Sequence, residues 1–139
     1  MKTIILMATM LLTFSLANAQ AVKTKNSYGD ALVYVDGNTL KAKNSYGDAL
    51  FYKDGNTIKI KNSYGNVVFY FDGNTVKHKN AYGGAAYYFD GNTIKSKNSY
   101  GDALYYLDGK TLKYKNSYGD AVYYFEGIPE KWVIICLIR

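Results

Sequence analysis

Cysteine, proline, histidine and tryptophan each occur once in the 139 residues. A lone Cys136 closes no internal disulfide, so stability has to come from burial and strand pairing. A lone His78 leaves no Ser-His-Asp set that does not run through it, and there is no His/Cys cluster of metal-ligand spacing. No apolar run reaches the roughly 20 residues that a membrane-spanning helix requires. The net charge of +6 is not a nucleic-acid signature, because the lysines fall at fixed intervals rather than in a cluster. These absences exclude the common hydrolase and metalloenzyme plans. They leave a non-enzymatic protein with no cofactor as the expectation.

The first residues read as an address. Lys2 precedes an apolar run from Ile4 to Leu16, and Ala17-Asn18-Ala19 has the small-x-small spacing of a cleavage site. Residues 1–19 are therefore expected to be a signal peptide, which sends the chain to the periplasm, the cell surface or the medium. Without Lys2, 16 basic residues face 11 acidic ones, a net charge of +5.

Glycine and tyrosine are abundant, with 13 and 16 occurrences, and both recur with a fixed period. Six eighteen-residue copies begin at Lys25, Lys43, Lys61, Lys79, Lys97 and Lys115. Strict self-similarity of this kind marks one supersecondary unit stacked or wound repeatedly. Each copy holds two short β-branched and aromatic segments bounded by Gly, Asn and Asp, such as 49–53 and 57–61, which predicts a hairpin. A Gly about every nine residues leaves no window for a stable helix. The fold class expected is all-β: an antiparallel up-and-down meander of six hairpin repeats over residues 20–132. A closed or nearly closed barrel or flower is favoured over an open hairpin solenoid, because an open sheet of a dozen strands has two edges to protect.

The spacing also predicts which side chains share a face. If Asn44-Ser45-Tyr46-Gly47 forms a three-residue loop with Gly47 left-handed, then Leu40, Ala42, Leu50 and Tyr52 lie together. Lys41, Lys43, Ala49, Phe51 and Lys53 then lie opposite. Keeping Tyr52 beside Ile58 requires an odd-length loop at Asp54-Gly55-Asn56, although Asp-Gly is also the strongest short signal for a two-residue turn. In this reading the invariant Tyr34, Tyr52, Tyr70, Tyr88, Tyr106 and Tyr124 line the core with Leu40, Ile58, Val76, Ile94 and Leu112. Val33, Phe51, Phe69, Tyr87, Tyr105 and Tyr123 stay half-exposed beside lysine stems.

At the N-terminus, Val22–Lys25 matches the second strand of a copy, so the array starts with half a unit. At the other end Pro129 interrupts the pattern and an apolar run follows through Ile138. Residues 133–139 are expected as an apolar C-terminal strand, buried in the sheet or serving as a cap or partner edge.

The run Gly101-Asp102-Ala103-Leu104-Tyr105-Tyr106-Leu107-Asp108-Gly109 with its following Thr-Leu strand resembles the β-flower proteins over about residues 21–132. Tyr87–Asn92 is similar to choline- and glucan-binding repeats, which use tryptophans where this chain has only Trp132. Phe89–Ile94 resembles YD repeats, whose arrays are longer. The β-flower resemblance implies hairpin petals around a shallow barrel and no established activity. Likeness to tubby-type barrels implies membrane or lipid contact only by analogy.

Three constellations carry whatever chemistry the chain has. His78 stands where other copies hold Ala42, Ile60, Ser96 and Tyr114, a tolerant slot unsuited to a catalytic base. Asp36, Asp54, Asp72, Asp90 and Asp108 read as Asx-turn residues before they read as calcium ligands, one carboxylate per loop being few. Tyr28, Tyr46, Tyr64, Tyr82, Tyr100 and Tyr118, each near a turn tip, are the candidate ligand-binding rim. They either plug the core edge or present a stacking surface beside lysines. The function expected is an exported, non-enzymatic binding or structural module of a bacterial envelope. Its rim would contact a glycan, a membrane surface or a protein, and nothing points to nucleic acid. An architectural repeat that assembles through strand edges is the alternative.

Overall fold

The structure, a computed structural model, describes residues 19–139. Apart from Ala19, the expected signal peptide lies outside the described residues. Twelve antiparallel strands follow one another around a closed barrel. A half unit, β1 (Ala19–Thr24), comes first. Long strands β2 (Ala31–Asp36), β4 (Ala49–Asp54), β6 (Val67–Asp72), β8 (Ala85–Asp90), β10 (Ala103–Asp108) and β12 (Ala121–Phe125) run one way. Short strands β3 (Thr39–Ala42), β5 (Thr57–Ile60), β7 (Thr75–His78), β9 (Thr93–Ser96) and β11 (Thr111–Tyr114) return. β1 pairs with β12, Val22 opposite Phe125, so the half unit completes the last hairpin and no strand edge is left open.

Leu40, Ile58, Val76, Ile94 and Leu112 face the core as expected, but the long strands turn the opposite face inward from the one predicted. Tyr52 stands opposite Lys59 and Lys53 opposite Ile58, so Tyr52 and Ile58 look to opposite sides. The cause lies in both loops. Asp54 pairs with Thr57, leaving Gly55-Asn56 as a two-residue connection, and of those two only Gly55 has positive φ (60°). That is the type II′ pattern, whose twist suits a hairpin. At the other loop the long strand carries a bulge at Leu50: Leu40 faces Phe51, but Lys41 faces Ala49. A bulge adds one residue and reverses the side to which everything beyond it points.

The interior therefore holds Leu40, Ile58, Val76, Ile94 and Leu112 with Val33, Phe51, Phe69 and their equivalents, and the invariant tyrosines of positions 34 to 124 stand outside. On the outer wall each tyrosine lies opposite a lysine, as Tyr34 does Lys41, and that lysine meets a carboxylate. The five Lys–Asp contacts, from Lys41–Asp36 to Lys113–Asp108, measure 2.7–3.0 Å, and Lys23–Glu126 measures 3.6 Å. Such exposed pairs add little stability. They do make the wall too polar to face lipid.

The C-terminal run is a helix rather than a strand: α1, Lys131–Ile138. Since β1 and β12 already pair, no edge remains to receive another strand, and a segment inside the barrel must satisfy its own backbone groups. Eight helical residues span about 12 Å. Trp132, Val133, Ile134, Ile135 and Cys136 are buried in one cluster with the strand interiors. A helix apolar on every side suits this position. It fills a lumen that twelve strands would otherwise leave too wide for side chains alone.

Candidate functional site

The loops that lead from each short strand into the next long strand all emerge at one end of the barrel. Their internal bonding explains the Lys-Asn-x-Tyr-Gly pattern. Asn44 Oδ1 accepts from the Tyr46 amide (2.9 Å), an Asx turn, and Asn44 O accepts from the Gly47 amide (2.9 Å). The Lys41 ammonium donates to Ser45 O (3.1 Å), bracing the loop against the wall. Gly47 is required because a Cβ there would meet Ala42 O at 1.6 Å, a steric demand and not the left-handed conformation expected.

That conformation belongs to lysine instead. Lys25, Lys43, Lys61, Lys79, Lys97 and Lys115 have φ of 59–67°. Each sits at the centre of a tight turn in which, for example, the Asn44 amide donates to Ala42 O at 2.8 Å. For a residue with a Cβ this backbone costs about 1–3 kcal/mol. Each of these lysines also donates its amide across to the bulge of a neighbouring long strand. Lys43 reaches Leu32 O at 2.9 Å, and Lys25 reaches Val122 O at 3.0 Å across the seam.

On these braced loops stand the predicted rim residues. Tyr28, Tyr46, Tyr64, Tyr82, Tyr100 and Tyr118 are 95–97% exposed. None folds onto the core edge. Neighbouring loops are two strands apart, about 10 Å at ordinary strand spacing. Shallow grooves run along individual loops, one walled by Ile60, Lys61, Asn62 and Tyr64, and another between the loop of Lys115 and Tyr118 and the start of β10 at Ala103 and Leu104.

Inside this end, the barrel mouth is asymmetric. Tyr87, Tyr105, Tyr114 and Tyr123 gather on one side, with the Tyr105 and Tyr114 rings 5.6 Å apart. Tyr87 and Tyr123 hydroxyls donate to Ile138 O (3.5 Å) and Leu137 O (3.4 Å), satisfying carbonyls at the helix end. Burial raises the Tyr105 hydroxyl above its usual range, and the three neighbouring phenols add to that. Across the mouth, the Arg139 guanidinium lies 4.6 Å from the centre of the Phe51 ring.

His78 is exposed, its ring 5.8 Å from that of Phe69, and among the described residues no hydrogen bond joins it to a carboxylate or hydroxyl. The aspartates at the opposite turns are held by lysine ammonium groups, while the Asx turns belong to the rim asparagines. Among the described residues no three His, Cys, Asp or Glu side chains approach closely enough to hold a metal. Burial pushes the Cys136 thiol up to about 12, against a smaller lowering by Arg139. The native protein is expected to resist iodoacetamide at pH 8 and to be labelled fully in urea, as mass spectrometry would show. Comparison with protein-family models, with curated proteins and with solved structures finds no match.

Proposed function

We propose that this chain is a non-enzymatic binding module that docks onto carbohydrate through its tyrosine rim. The observation that carries the reading is the near-complete exposure of six tyrosines on loops whose backbones are fixed. Phenol rings offer an apolar face to a sugar and a hydroxyl to its oxygens. Fixed loops have little ordering entropy left to lose on binding. A flat lipid surface would find the same rings, but the shallow grooves beside Tyr64 and Tyr118 favour a ligand that lies in them. An exported location, in the periplasm, at the cell surface or secreted, suits such a ligand. Assembly through strand edges receives no support from a ring in which every strand has two partners.

Replacing Tyr46, Tyr64 and Tyr82 together with Ser is expected to weaken binding to cell-wall polysaccharide at least ten-fold. Each lost ring contact is worth about 0.5–1.5 kcal/mol. Because these rings touch nothing in the folded chain, the urea midpoint should not move. Binding that survives the triple substitution removes the rim as the site.

A further inference from the structure

Five of the six rim loops repeat one sequence closely, but the residue that closes the loop does not. It is Asp30, Asp48, Asp102 and Asp120 in four loops, and Asn66 and Gly84 in the other two. Those two loops, 61–66 and 79–84, are neighbours on the barrel, because β6 pairs with β7 and β7 with β8. Resting on the carbohydrate reading of the rim, we propose that this acid-free sector is a subsite for an anionic polysaccharide, carried by Lys61, Lys79, Tyr64 and Tyr82.

Three observations converge on that chemistry. Lys61 and Lys79 are exposed and hold φ of 66° and 67°, a backbone that glycine adopts without cost. Retaining lysine there makes sense where its ammonium is used. No loop carboxylate offsets either one within the sector, whereas Asp48 and Asp102 stand in the loops on either side of it. A groove of about 290 Å³ bordered by Lys61, Asn62, Tyr64 and Asn66 supplies an amide donor and a phenol beside the charge. His78 opens onto the same sector from the inner face and carries no negative charge. The loop spacing of about 10 Å is close to the length of two sugar rings. A linear polymer carrying one acidic group per sugar therefore meets Tyr64 with Lys61 and, two sugars on, Tyr82 with Lys79. A bilayer would engage all six loops alike and has no use for an asymmetric pair.

Polygalacturonate and its methyl-esterified form separate charge from sugar shape. The full chain is expected to bind the polyanion at least ten-fold more tightly than the ester at low salt. Asn66→Asp with Gly84→Asp restores the residue that four loops already carry, and no atom lies within 4 Å of a Cβ at Gly84, so the fold is preserved. This pair should weaken polygalacturonate binding at least five-fold. Lys43→Gln with Lys115→Gln changes net charge by the same amount in other loops and should alter binding less than two-fold. Equal affinity for polymer and ester, or equal losses in the two double variants, overturns the sector while leaving the rim. Failure to bind either polymer, with or without binding to phosphatidylserine vesicles, overturns the sector, and failure of the full chain to bind cell-wall polysaccharide as well overturns the rim.

Discussion

A chain ended after Glu130 is expected to show no cooperative unfolding transition. Helix α1 places Trp132, Val133, Ile134, Ile135 and Cys136 in the barrel at 0–7% exposure. At roughly 1.5–3 kcal/mol for each large apolar side chain, their loss removes on the order of 10 kcal/mol. That is comparable to the whole stability of an ordinary domain, about 5–15 kcal/mol. The damage does not end with the helix. Phe51, Phe69, Phe89 and Phe125 would then face a lumen wide enough for water. Thermal melts followed by near-ultraviolet circular dichroism test this, and dye binding should report the exposed apolar wall. Ile135→Ala in the full chain is the graded version, with an expected loss of about 2–5 kcal/mol. A truncated chain that melts sharply near the parent temperature would show that the strands alone close on a filled core.

Gly47→Ala is expected to cost about 3 kcal/mol, at the upper end of ordinary overpacking. The methyl would lie 1.6 Å from Ala42 O, and that oxygen is also the acceptor for the Asn44 amide. Moving it disrupts the tight turn at Lys43 as well. Gly55→Ala makes a useful contrast, since Gly55 has φ of 60° but open space around it. Its cost should be about 1–3 kcal/mol, that of holding a Cβ at the first position of a type II′ turn, and should stay below the loss at Gly47. Urea denaturation of the two variants reads the difference directly. A larger loss at Gly55 than at Gly47 would mean that backbone conformation, and not the carbonyl contact, sets the need for glycine in the rim loops.

The hairpins, their number and their order were legible in the sequence because a strict period with Gly, Asn and Asp at fixed points leaves few other solutions. The faces were not. Residue spacing is compatible with either parity, and the choice turned on a bulge at Leu50 and a two-residue turn at Gly55-Asn56 that act together. Reversing both loops keeps the chain self-consistent, so internal agreement among the copies could not expose the error. Invariance misled in the same way: Tyr52 repeats because it stands opposite a lysine on an outer wall that is alike in every hairpin. The variable slot of Ala42, Ile60, His78, Ser96 and Tyr114 varies because the inner wall is not alike. A single helix with one Arg139 and two carbonyls to satisfy meets a different neighbour at each step around the lumen. Turn chemistry put Tyr28, Tyr46, Tyr64, Tyr82, Tyr100 and Tyr118 near loop tips but did not decide between folding back and standing free, which the structure resolves as exposure. The positive φ of the lysines had no signal, since lysine is a poor choice for that conformation.

The seam between β1 and β12 sets an order of events. Val22 cannot find Phe125 until all the strands between them have been made, and the plug that must be enclosed follows β12 in the chain. Closure of this barrel is therefore expected to be a late and slow step, because the contact that completes the ring joins strands far apart in sequence. Until then the partly wound sheet carries two bare borders, and a chaperone or a dilute compartment would decide how much of it survives.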